Sequence, residues 1–242
     1  MKHLITTLFV LTTGLLFGQS FEGTVVYKTD FKFQISKKMA QMGLTEEMMK
    51  EKMKKDGSWT DSVKTSYKQG DYITYTNFNP RSWSVYKQKD NKLYSFESGE
   101  ASDLCTVTDV SIDLEFQMTG NKPTVVKLDT IAEINGMKCE AVRVKWKTGT
   151  YDYYYNSSFL KVDSKLYANH IYDGWADFLK ISNALPVKIV KSTKGMSTVT
   201  YTLTRHSEEK IDPKLFVIPK LVADKELNVI KIANREVMRI SK

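Results

Sequence analysis

The chain has 242 residues, 41% hydrophobic and 26% charged, with a formal net charge of +8. That length is generous for one domain but suits a single β-rich one able to bury a sizeable core. No stretch after Phe21 is apolar enough to cross a membrane. The lysines are scattered, as at Lys28 and in Lys145-Trp146-Lys147, so neither a basic stripe nor a nucleic-acid recognition motif is present. They read as a solvated face, with affinity for acidic headgroups at a membrane surface as the sharper alternative.

Met1-Lys2-His3 carries one lysine charge, Leu4 to Phe17 is apolar apart from threonines and a glycine, and Gly18-Gln19-Ser20 supplies small residues. This three-part layout predicts a secretory signal peptide over residues 1–20, cleaved after Gly18 or Ser20. The apolar run is shorter than the ~20 residues of a stable transmembrane helix. No cysteine follows it to carry a lipid. The expected product is a periplasmic or secreted soluble protein, with one domain over residues 21–220 and a basic tail over 221–242.

The mature start reads as a long strand of about fifteen residues, far above the usual ~5–6. Phe21, Val25, Tyr27, Phe31, Phe33 and Ile35 hold one parity, with Glu22, Thr24, Lys28, Asp30, Lys32 and Gln34 mostly on the other. Lys37 to Lys55 then changes period. Met39, Met42, Met48, Met49 and Met53 recur at helical spacings, Thr45 with Glu46 and Glu47 suits a helix start, and Gly43 divides the segment in two.

Strands follow in quick succession: Ser62 to Lys68 and Asp71 to Phe78 around Gln69-Gly70, then Trp83 to Lys87 and Leu93 to Glu97 around Asp90-Asn91. Thr124 to Ile134 and Met137 to Lys147 flank Asn135-Gly136, a strong short-range hairpin signal. Thr150 to Tyr155 continues the meander, and Val187 to Lys191 and Met196 to Arg205 flank Lys194-Gly195. One more helix is predicted from Asp173 to Asn183, with Trp175, Phe178 and Leu179 along one side and Pro186 beyond its end.

Two cysteines remain in an exported chain, Cys105 and Cys139, and an even count in that compartment predicts a disulfide worth roughly 2–4 kcal/mol. Two buried thiols are the alternative. Catalytic groups are scarce. Only His170 and His206 survive signal removal, no G-x-S-x-G motif occurs, and both histidines read as surface or structural residues. No Cys-x-x-Cys, His-x-x-x-His or EF-hand spacing points to a metal. The methionine segment lacks the histidine or cysteine that copper sites usually include, so neither metal nor cofactor is expected.

The methionines are then core filler, a flexible lid over a greasy ligand, or a docking face for a partner. Tyr151, Tyr153 and Tyr155 share one sheet face, and with Trp146 they read either as half-buried strand packing or as the lining of an apolar cavity.

A strand meander with one helical insertion after the first strand and another helix before the last strands suggests a curved antiparallel half-barrel wrapped around helices. The residues Phe21-Glu22-Gly23-Thr24-Val25-Val26-Tyr27, Ile134-Asn135-Gly136-Met137-Lys138-Cys139, Tyr151 to Tyr155 and Ile211-Asp212-Pro213-Lys214-Leu215-Phe216-Val217-Ile218-Pro219 carry a resemblance. The chain resembles a group of exported domains of unknown function from Gram-negative bacteria that have the LolA-like lipoprotein-carrier fold. The resemblance implies a mainly β, α+β half-barrel and leaves the activity open.

Together these readings predict a non-enzymatic binding module. It would hold an acyl chain or lipid-like molecule under a lid of Met42, Met48, Met49 and Met53, against Trp146, Tyr151, Tyr153 and Tyr155. The expected partners are a lipid or other apolar small molecule and an envelope protein. The alternative is an envelope scaffold with a filled core.

Overall fold

The computed structural model describes residues 20–77, 79, 82–96, 103–223 and 234–241. The expected signal peptide, apart from Ser20, lies outside the described residues. The described strands are β1 (Gly23–Phe33), β2 (Ser62–Lys68), β3 (Asp71–Thr76), β4 (Trp83–Lys87), β5 (Lys92–Phe96), β6 (Leu104–Asp109), β7 (Thr124–Ile134), β8 (Met137–Lys145), β9 (Gly149–Tyr155), β10 (Lys188–Thr193), β11 (Ser197–Glu208), β12 (Leu221–Ala223) and β13 (Arg235–Ile240). The described helices are α1 (Lys37–Gln41), α2 (Glu46–Lys55), α3 (Leu114–Thr119) and α4 (Trp175–Ser182), with single tight helical turns at Ser164–Tyr167, Tyr172–Gly174 and Pro213–Phe216. None of these helices is long and apolar enough to cross a membrane.

All thirteen strands join one open, curved sheet in the order β12-β13-β6-β5-β4-β3-β2-β1-β11-β10-β9-β8-β7. This is the mainly β, curved antiparallel sheet with few helices that the alternation predicts. Neighbours are antiparallel, and most are consecutive in the chain, as short hairpin connections require. The long steps are β1 to β11, which joins the two halves of the chain, and β6 to β13. The register shift between Val26 and Tyr27 bends β1, and another between Leu128 and Ala132 bends β7. The hairpin at Asn135-Gly136 forms as expected, both residues taking the left-handed φ of a tight primed turn (52° and 75°).

The main core lies between the concave face of the sheet and α4. Phe178 and Leu179 are fully buried there, with Val142, Val144, Tyr153 and Tyr155 beneath. The ring of Tyr153 stacks on Phe178 at 4.6 Å. Strands β3 and β4 are covered on their other face as well, where Ile73 and Val85 pack on Ile211 and Phe216. Period-2 alternation explains both: Tyr72 points to one side of β3 and Ile73 to the other.

Three expectations change. First, β1 is shorter than the fifteen residues its alternation suggests, because Ser36 turns the chain and caps α1 by accepting from the Met39 amide. Second, the described parts of the expected tail join the sheet: β13 pairs along β6 and β12 along β13. Third, Cys105 and Cys139 are free, buried thiols with no bond between them. They sit on β6 and β8, the third and twelfth strands of the sheet order, and belong to separate packing clusters. An oxidising compartment permits a bridge but cannot bring distant strands together.

Candidate functional site

The concave face carries a row of tyrosines. Tyr27 on β1, Tyr67 and Tyr72 across the β2–β3 turn, Tyr153 on β9 and Tyr201 on β11 all line one cavity of about 300 Å³. Strand pairing explains why they meet. Tyr67 lies opposite Tyr72, and Ile189 of β10 lies opposite both Tyr153 and Tyr201. Residues directly opposite on antiparallel strands share a face, so these side chains converge.

The segment His170–Trp175 covers the cavity. It is tied down from several sides. The amides of Ile171 and Tyr172 both donate to the Val110 carbonyl, at 2.8 and 3.0 Å. The Tyr153 hydroxyl donates to the Asp173 carbonyl at 2.6 Å. Asp173 and Gly174 take successive left-handed conformations, φ 60° and 68°, which fold the segment back into α4. A Cβ on Gly174 would stand 2.7 Å from a Val144 methyl, so this position demands both the glycine φ and its lack of a side chain.

One ion pair joins cover to sheet. Lys191 Nζ on β10 lies 2.6 Å from Asp173 Oδ2. The ammonium also sits 4.7 Å from the centre of the Tyr151 ring and 6.0 Å from that of Tyr201. Lys191 lies opposite Tyr151 in the β9–β10 register, which sets that contact. Burial works against the charge on Lys191, but the Asp173 carboxylate outweighs it and holds the pKa well above the ordinary lysine value.

His170 is 4% exposed and accepts or donates at Nε2 to the Tyr72 hydroxyl, 2.9 Å away. Burial pushes its pKa down to about 4, so the ring is neutral at pH 7. Its Nδ1 and the Nε1 of Trp175 are buried without a hydrogen-bond partner among the described residues. Burial likewise raises the phenols of Tyr27, Tyr72 and Tyr153 well above their usual value.

The expected site residues fall into four groups. Tyr153 lines the cavity. Trp146 and Tyr151 meet edge-to-face at 4.9 Å beside a smaller cavity of about 170 Å³, which shares Tyr172 and Asp173 with the tyrosine-lined one. Tyr155 is buried against Phe178, in the core rather than at the cavity. The expected methionine lid lies elsewhere: none of Met42, Met48, Met49 and Met53 lines this cavity. Helix α2 buries none of its residues and packs along the end of β1 beyond Tyr27, near Phe31 and Trp59. Met42 and Met48 face solvent at 61% and 50% exposure.

His170, Asp173, Lys191, Tyr27, Tyr67, Tyr72 and Tyr201 form the site and were not singled out for it by sequence. Each strand tyrosine was visible as an apolar-face residue, as Tyr201 is in the alternation Val199, Tyr201, Leu203.

No family model and no curated protein matches the chain. Among solved structures it is similar to PNGF-II, at TM-score 0.39 and 12% identity in one crystal form and 0.40 and 11% in another. Those alignments take in 80% of this chain and span only 29% and 30% of the PNGF-II chains. It is also similar to the LolA superfamily protein NE2245 from Nitrosomonas europaea, at TM-score 0.34 and 8% identity over 82% of this chain and 91% of the other. These are distant likenesses and carry no residue of the site with them.

Proposed function

We propose that this chain is an exported, non-enzymatic binding module that holds an apolar small molecule, of the acyl-chain or lipid-like class, between its sheet and the His170–Trp175 cover. The observation that supports it is the cavity itself: about 300 Å³, walled by tyrosines from five strands and closed on one side by an aromatic segment. That volume lies at the lower end of the ~300–1,000 Å³ typical of small-molecule sites, and the mix of apolar walls with a few polar groups is their usual make-up. The cover is held to the sheet by the Lys191–Asp173 ion pair and by hydrogen bonds of the Tyr153 and Tyr72 hydroxyls, which fix it over the cavity.

The test is native mass spectrometry of the protein after gentle extraction from its source. A copurifying apolar molecule, lost when the cavity is filled by substitution, supports the reading. A ligand-free protein that takes up no apolar probe sinks it.

A further inference from the structure

The hydrogen-bonding capacity of the cavity wall is unevenly spent. The Tyr27 hydroxyl donates to the Pro186 carbonyl at 2.6 Å, and the Tyr153 hydroxyl donates to the Asp173 carbonyl at 2.6 Å. Tyr72 is engaged with His170 Nε2, and the Thr65 and Thr74 hydroxyls engage each other at 3.0 Å. Lys191 is neutralised by Asp173 and cradled by Tyr151. The Trp175 indole N–H stands apart. The Trp175 ring lines the cavity beside Tyr153, Phe178 and Tyr167, and its nitrogen is buried with no acceptor among the described residues.

An indole nitrogen can only donate. A buried donor left unpaired carries its full desolvation cost, which a ligand acceptor would relieve. The charge balance sets the other half of the selection. The cation of the site already has its carboxylate at 2.6 Å, so a ligand anion would meet Asp173 and be buried without a counterion of its own. Resting on the reading of this cavity as a ligand site, we propose that it selects an uncharged ligand whose polar end is a carbonyl or ester oxygen, received by Trp175 Nε1, over a free carboxylic acid.

Three fluorescent probes test this on the full chain: prodan, an uncharged naphthyl ketone; N-phenylnaphthylamine, uncharged and without an oxygen acceptor; and cis-parinarate, a carboxylate. Prodan is expected to bind roughly tenfold more tightly than cis-parinarate, and Trp175→Phe to weaken prodan roughly tenfold more than it weakens N-phenylnaphthylamine. Trp175→Phe keeps an aromatic ring in place, and the ranking on the unsubstituted protein stands even if that variant folds poorly. Equal or tighter binding of cis-parinarate overturns the selection for an uncharged ligand. Equal weakening of prodan and N-phenylnaphthylamine overturns the role of the indole N–H. Failure of all three probes to bind overturns the cavity reading itself and the selection with it.

Discussion

Lys191 and Asp173 join the sheet to its cover: the ammonium of β10 meets the carboxylate of the left-handed Asp173 at 2.6 Å, inside a wall of tyrosine rings. The pair holds the covering segment over the cavity and leaves the site without net charge. Removing one member strands the other. Asp173→Asn is expected to cost about 2 kcal/mol, less than the ~3–5 of a fully enclosed pair because the two side chains keep 27% and 28% exposure. The double variant Asp173→Asn, Lys191→Met is expected to recover much of that loss, which urea denaturation of the single and double variants would show. Additive losses would mean the two groups do not act together.

His170 gives the fold a pH dependence with a defined sign. Below pH 6.5 the unfolded chain takes up a proton at this ring, which the folded chain refuses until about pH 4. The unfolded state therefore binds more protons across that window, and stability falls as pH falls through it. The full effect amounts to about 3 kcal/mol. Denaturation midpoints of the unsubstituted chain and His170→Gln, measured from pH 7 to pH 4, should converge towards the acid end. Parallel curves would contradict the neutral buried ring.

Gly174 is expected to tolerate no side chain. Its φ of +68° and the 2.7 Å approach of a Val144 methyl to the position of a Cβ act together in Gly174→Ala. The loss should be about 2–4 kcal/mol, from left-handed strain and overpacking. Thermal unfolding with a cavity probe present would report both the destabilisation and a misplaced cover. An unchanged melting temperature would mean the segment adjusts freely.

The cysteines should behave as independent thiols. Burial pushes Cys105 up to about 12 and raises Cys139, so neither should react in the folded protein at neutral pH. Both should be alkylated once the chain is denatured without reductant, and reductant should leave the melting temperature unchanged. Loss of the ~2–4 kcal/mol a disulfide supplies would show up as a lower midpoint in reductant.

Much of the sheet was legible in the sequence. Ser62–Lys68, Trp83–Lys87 and Thr124–Ile134 form as the alternation predicts, and Thr45 caps α2 by accepting from the Met48 amide at 3.2 Å. These are local effects of side-chain period and capping. The order of the strands is not local. Tyr27 and Tyr201 share the cavity across the long β1–β11 pairing, and Lys191 finds Asp173 only once α4 docks on the concave face. The methionine spacing identified a helix and one of its faces, but not what that face would meet. Met42 and Met48 face solvent, and it is Lys54 of α2, not a methionine, that lies over the Trp59 ring. The cysteine count spoke for compartment and was silent on distance. His170 was set aside for want of a nucleophile, whereas its place in the structure depends on Tyr72, far away in sequence.

The most direct measurement is a titration of the full chain and of Val63→Trp, which fills the cavity from β2, with N-phenylnaphthylamine. Saturable fluorescence enhancement at one site per chain is expected for the unsubstituted protein. Affinity should fall at least roughly tenfold in Val63→Trp while circular dichroism shows the sheet intact. No saturable binding, or binding undiminished when the space between Tyr27, Tyr72 and Tyr201 is filled, would contradict a ligand site between the sheet and the His170–Trp175 cover.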